Sequence, residues 1–408
     1  MLVADCPREL RLPLNTFWED LMSAPTAPSG APKRRTRRRL TSLLVALAAL
    51  TLLAAACGDS DDADSGTAVT ESGTAATDAA AVDDDMESED DMESDDDMAA
   101  DDDMEAEDDM AAPLRIAIVA PSASNDLAFT QSMVDAVNAI GETRAVEVAV
   151  TDGTFIVEEA AAAIRGYAED GFDLVIAHGS QYGGPLGEIA PDFPDTSFAW
   201  GTAADFMGHA NVFAYTVRSD EGGYVSGTVA AQISATGVIG VIGPIPVGDA
   251  KLYVDGFAAG VAATDSSITT NIVYTDSFSD VALAAEAAEA HISNNADVLT
   301  GSAQMVVGAT GVANEHDVAW FGTQANQTAL GESIVVASQV YHWEVLLADM
   351  IDRIEAGTLG GEVMIATLAN GGIEIEFNDG YGLDAGIQAA AEATIAGIAD
   401  GSISTGIE

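Results

Sequence analysis

Side chains able to hold a small molecule gather just behind short apolar runs of this sequence. Asn125, Asp126 and Phe129 follow "LRIAIVAP", and Ser180, Gln181 and Tyr182 follow "FDLVIAHG". Phe278 and Asp280 follow "NIVYT", and Ser302 and Gln304 follow "ADVLT". Gln324 and Asn326 come after "AWFG", and His342 and Trp343 come after "VVASQV". Rings from two sides can stack on both faces of a flat molecule, while fixed amides satisfy its polar edge. Amides, hydroxyls and aromatics with few charges suit a planar, nearly neutral ligand.

Patterns for catalysis do not emerge. "APSASND" stands after the first run where a GxGxxG phosphate loop would be, "GPIPVG" lacks the lysine of a P-loop, and no GxSxG elbow links a strand to a helix. "EHD" at Glu315–Asp317 has no second histidine at ligand spacing and reads as a solvated helix end. His178 and His342 each end a strand, where a structural role is expected. The reading is a protein that is not an enzyme, with no cofactor and no metal.

The elements that must position the strand-end residues alternate. Apolar runs of four to eight residues read as buried strands, and between them lie helical stretches such as "FTQSMVDAVNAIG", "VEEAAAAIRGYAEDG" and "AKLYVDGFAAGVAA". Strand–helix–strand alternation predicts parallel sheets, and it restarts after "ANVFAYTV". The expected fold class is therefore α/β, with two doubly wound parallel-sheet lobes. Such sheets bind ligands at the carboxyl ends of their strands, so a cleft between the lobes is the expected site. "EVMIATLANGGIEIEFND" reads as a strand pair.

Charge divides the 408 residues into three parts, with a net of −53. Residues 1–57 hold eight of the 14 Lys and Arg; residues 58–112 hold 24 acids and no base; from residue 113 onward six bases face 39 acids. Phosphate binding needs a basic footprint, so a nucleic-acid partner is excluded. So acidic a surface suits high salt, where self-repulsion is screened. The only cysteines are Cys6 and Cys57, so the globular part can have no disulfide framework.

"KRRTRRR" at Lys33–Arg39 followed by "LTSLLVALAALTLLAAAC" reads as a secretory signal over residues 1–56, with Met22 a candidate true start. "LLAAAC" resembles a bacterial lipobox, which makes Cys57 the expected lipidation site; an uncleaved span is the alternative. Either way the arginines stay inside and the remainder is expected on the extracytoplasmic face of the cell membrane. Residues 57–112 contain Met86, Met92, Met98, Met104 and Met110 among acids. A six-residue step turns about 240° on a helix and builds no stripe. Low hydrophobicity with high charge predicts a disordered acidic tether.

Together "AFTQSMVDAV", "YTVRSDEGGYVSGTVAA", "IGPIPVGDAKLYVDGFAAGV", "VYTDSFSDVALAAEAAEAHISNNADVLT" and the segment from "VVASQVYHWEVLLADMID" onward resemble the basic-membrane-protein family of ABC-transporter substrate-binding lipoproteins. The likeness runs over nearly all of 113–408. It implies two lobes of periplasmic-binding-protein type I joined by three crossovers, with 113–217 plus about 324–360 as the first lobe and 218–323 plus about 361–408 as the second. It implies a purine base or nucleoside sandwiched between Phe129 and Phe278, with Gln131 and the polar strand-end residues completing the pocket. It also implies an ABC permease and ATPase as partners. The family usually has Asn where Thr130 stands and a carboxylate where Gln324 stands, which favours a free base over a nucleoside. A sensor role, or a sugar or amide ligand, is the alternative within the binding class.

Overall fold

Among residues 112–407, which the computed structural model describes, twelve strands form two six-stranded sheets and nine α-helices accompany them. The signal region, Cys57 and the acidic tether lie outside the described residues. No helix among the described residues is long and apolar enough to cross a membrane.

The first sheet joins β1 (Leu114–Val119), β2 (Val146–Thr151), β3 (Leu174–His178), β4 (Ser197–Gly201), β5 (Val212–Val217) and β11 (Glu362–Ala366) in the order β11-β5-β4-β3-β1-β2, all parallel. Its strands read as continuous Val, Ile and Ala because helices cover both faces. On one face, α1 (Phe129–Gly141) and α8 (Glu344–Glu355) bury Met133, Val137, Leu347 and Ile351 against Ile116, Ile118 and Ile176. On the other, α2 (Val157–Glu169) and α3 (Gly183–Ile189) bury Ile164 and Leu186 against Val119 and Val175.

The second sheet joins β6 (Val238–Gly243), β7 (Thr269–Tyr274), β8 (Val298–Gly301), β9 (Ala319–Gln324), β10 (Val335–Tyr341) and β12 (Ile373–Phe377) in the order β12-β10-β9-β8-β6-β7. Only β12 runs antiparallel to its neighbour. Helices α4 (Ser219–Ile233), α5 (Gly248–Thr264) and α9 (Ala385–Ala399) cover one face; α6 (Val281–Ser293) and α7 (Val306–Glu315) cover the other.

Three crossovers join the lobes: Val217–Ser219, Tyr341–Glu344 and Ala366–Ile373. The third bonds to both others, since Arg218 N–H donates to the Ala366 carbonyl at 2.9 Å and His342 N–H to the Gly372 carbonyl at 3.0 Å. Two sequence expectations are corrected. β10 lies in the second sheet although 324–360 was assigned to the first lobe, and β11 lies in the first sheet although 361–408 was assigned to the second. The strand pair read from "EVMIATLANGGIEIEFND" is split between the sheets. Apolar patterning marks a strand but does not say which sheet receives it, and the six residues between β11 and β12 are enough to cross.

Candidate functional site

A cavity of about 430 Å³ lies between the lobes and is lined by both. The first lobe supplies the ends of β1, β2, β3 and β4 through Phe129, Phe155, Ser180, Gln181 and Thr202; the second supplies Ile245, Val247 and Asp249 after β6, Phe278 after β7, Gln304 after β8 and Gln324 at the end of β9. In each sheet the order reverses beside the first strand of the lobe, β1 or β6, so neighbouring loops diverge and leave a crevice at the carboxyl ends.

Phe129 opens α1 and is 8% exposed. One face of its ring stacks on His178, with centroids 3.8 Å apart and planes 12° off parallel. His178 is fully buried, and its hydrogen bonds assign its tautomer. Nε2–H donates to the Phe129 carbonyl at 2.9 Å, and the Tyr215 hydroxyl donates to Nδ1 at 2.6 Å. Burial pushes the imidazole down to about 3, so it is neutral. Behind it Trp343 packs edge-on against His178 and Tyr215 and donates Nε1–H to Ser132 Oγ at 2.9 Å. Phe129 is thus the front of a rigid stack of rings.

The second lobe contributes Phe278 to the same lining; it is half-buried, in the loop ahead of α6. Two lining residues, Ala303 and Gln324, hold φ at 75°, a left-handed backbone that costs non-glycine residues about 1–3 kcal/mol. Gln324 is 3% exposed, and its Oε1 is buried without a hydrogen-bond partner in the protein. That oxygen can accept from an N–H of a ligand. Asp249, at the start of α5, accepts from Thr202 Oγ1 at 3.0 Å and from the Tyr341 hydroxyl at 3.3 Å; burial, the largest influence, pushes its carboxyl up.

Of the strand-end residues singled out in the sequence, Phe129, Ser180, Gln181, Phe278, Gln304 and Gln324 line the cavity; the others do not. Asp126 turns back to accept from the N–H groups of Ala128, Thr130 and Gln131, satisfying the first turn of α1. Asp280 does the same for Ala282 and Leu283 at the start of α6. Gln131 bonds to Leu127 and Asp135, and Asn125 is exposed outside the lining. Tyr182 and Trp343 are fully buried, Tyr182 donating its hydroxyl to the Thr154 carbonyl at 2.8 Å. Phe155, Thr202 and Asp249 were missed. Phe155 and Thr202 stand behind strands, where the same strand-end rule could have found them.

Residues 114–390 match the sequence profile of the Bmp family, ABC transporter substrate-binding protein PnrA-like. The chain belongs to this family. Among Bmp relatives, a purine-binding protein of Brucella abortus is 26% identical over 200 residues, 49% of this chain and 56% of that one. An ABC transporter nucleoside-binding protein of Lactococcus lactis is 27% identical over 184 residues, 40% of this chain and 52% of that one. The chain thus spans little more than half the length of either. An ABC transporter solute-binding protein from Conexibacter woesei superposes with a TM-score of 0.62 at 24% identity, covering 71% of this chain and 98% of that one, which shows the shared two-lobed fold.

Proposed function

We propose that this substrate-binding protein captures a purine base or nucleoside between its lobes and presents it to an ABC permease and ATPase, held at the extracytoplasmic face by a lipid on Cys57. The observation that carries this reading is the single cavity into which Phe129 of one lobe and Phe278 of the other both project. A flat ring fits between two aromatic faces, and each such stack contributes about 0.5–1.5 kcal/mol beyond area burial. The volume lies within the roughly 300–1,000 Å³ typical of small-molecule sites. Gln181, Gln304 and Gln324 offer amide edges, and the unpaired Gln324 Oε1 suits a ring or exocyclic N–H. The purine- and nucleoside-binding relatives support the same ligand class. Contacts from both lobes make binding and closure one event.

The test is a thermal-shift and calorimetry screen of the purified protein at low and high salt, against adenine, hypoxanthine, guanosine, inosine, hexoses and glutamine. A ligand at a hundred times its Kd stabilises by about 2.7 kcal/mol. A base or nucleoside is expected to raise the melting midpoint, with sugars inactive. A response to a hexose or glutamine alone would overturn the purine assignment.

A further inference from the structure

Outside the cavity lining, three ligand-type side chains converge at the hinge. β10 and β12 pair antiparallel with Val340 opposite Glu374 and Ser338 opposite Glu376, and the next step brings His342 beside Gly372. Alternate residues of paired strands share a face, so His342, Glu374 and Glu376 emerge together. One ligand atom from each lies within 4.8 Å of the others.

The arrangement around the imidazole is specific. Nδ1 lies 2.7 Å from Glu344 Oε1, a bond that takes the ring's N–H. Nε2 is buried, has no hydrogen-bond partner in the protein, and faces Glu374 Oε2 at 3.4 Å and Glu376 Oε1 at 3.9 Å. When the ring is neutral, the Nε2 lone pair and two carboxylate oxygens point at one spot, a repulsive set that a cation relieves. The supporting contacts are those of metal sites. Ligating histidines give their second ring N–H to a carboxylate, and ligating carboxylates are themselves hydrogen-bonded. Here Glu344 takes the first part, and Asn326, donating to Glu376 Oε2 at 2.5 Å, takes the second.

We propose that His342 Nε2, Glu374 and Glu376 form a binding site for a divalent transition cation, with Zn²⁺ as its reference occupant. Zn²⁺ takes His nitrogen and carboxylate oxygen at about 2.0–2.2 Å, which sets tetrahedral donors a little over 3 Å apart. The 3.4 Å from Nε2 to Glu374 already fits that spacing, and the 3.9 Å to Glu376 calls for a shift of about half an ångström in a side chain that is 32% exposed. An imidazole with two carboxylates suits zinc, cobalt or nickel better than magnesium or calcium, which take all-oxygen sets. The cation would tie the second crossover, which carries His342 and leads into α8 on the first lobe, to β12 of the second.

The experiment is calorimetric titration of Zn²⁺ into the metal-stripped full chain in millimolar Mg²⁺, which occupies the acidic surface. One Zn²⁺ per chain is expected at micromolar affinity or better, weakened by about tenfold or more in both His342→Gln and Glu374→Gln. Both variants should keep the parent's circular-dichroism spectrum without zinc, which shows that the fold is intact. Co²⁺ should give visible d–d bands in the parent that His342→Gln loses. Equal zinc affinity in parent and variants, or no zinc binding above the Mg²⁺ background, overturns the site.

Discussion

Thr202, behind β4 of the first lobe, donates a 3.0 Å hydrogen bond to Asp249 at the start of α5 in the second. The Tyr341 hydroxyl, at the end of β10, reaches the other carboxylate oxygen at 3.3 Å. A second link is Gln327 Nε2–H to the Leu127 carbonyl at 3.1 Å. The Thr202–Asp249 and Gln327–Leu127 bonds join the two lobes. A hydrogen bond of this kind contributes about 1 kcal/mol net, so Thr202→Val is expected to shift the lobes toward opening and weaken ligand binding about fivefold. Calorimetry on parent and variant checks this; unchanged affinity would show that closure does not depend on the contact.

Asp249 gives a pH signature. Burial holds its folded pKa above the ordinary 3.8, more than Thr202 and Tyr341 lower it. A raised folded pKa means the group's contribution to stability is complete below 3.8 and is lost as pH rises through the folded value. At pH 7 this carboxyl therefore opposes folding relative to an uncharged side chain. Asp249→Asn, which keeps an acceptor for Thr202, is expected to be more stable than the parent at pH 7 and to lose that advantage near pH 4. Urea midpoints at the two pH values decide it, and an equal difference at both would rule out the titration.

The two rings facing the cavity differ in what else they do. Phe278 is half-buried on a loop, so Phe278→Ala should weaken purine binding by more than about tenfold with little change in melting midpoint. Phe129 also covers His178 and belongs to the first core. Phe129→Ala should lose as much affinity and destabilise by about 3 kcal/mol as well. Calorimetry with denaturant titration separates the two effects. Full affinity in both variants would remove the stacking reading.

His178 should make the first lobe acid-sensitive. Its folded pKa of about 3 lies below the ordinary 6.5, so the unfolded chain takes up a proton that the folded one refuses. Stability from this group is complete above 6.5 and falls as pH drops toward 3, by about 1.4 kcal/mol per unit. Carboxylates titrate in the same range, so the informative quantity is the difference from His178→Gln. That variant should be less stable at pH 7 and show a shallower acid slope between pH 6 and 4. Parallel slopes would show that the imidazole is not held neutral.

Much of this was legible in the sequence, for identifiable reasons. Apolar runs bounded by helical stretches specify strands covered on both faces, and Phe129 and Phe278 stand where doubly wound sheets place their ligand loops. Which side of a turn a residue faces is not written in that pattern. Tyr182 and Trp343 turn inward because their rings fill the cores and their polar atoms find Thr154 and Ser132. Asp126 and Asp280 stand ahead of helices, and the free N–H groups there claim them first. Asp249 stands just ahead of the helical stretch "AKLYVDGFAAGVAA", and its proximity to Thr202 exists only once the lobes meet.

The glycines of α4 and α5 carry the last prediction. Gly223 and Gly227 on one helix and Gly256 and Gly260 on the other are each spaced by four and face the partner's backbone. A Cβ on Gly227 would sit 2.1 Å from the Phe257 carbonyl oxygen, and one on Gly260 2.1 Å from that of Tyr224. Helix backbones this close leave no side chain free to yield, so the helices must separate and loosen Val225, Val229, Phe257 and Val261 in the core between them. Gly227→Ala and Gly260→Ala are each expected to cost about 1–3 kcal/mol. Gly166, inside α2 with nothing within 4 Å of its would-be Cβ, reports the opposite sign. Gly166→Ala should stabilise by about 0.5–1 kcal/mol through the unfolded chain's lost freedom. Denaturant midpoints of the three variants test both effects; stabilisation by all three would mean that helix propensity, not contact, sets the distance between α4 and α5.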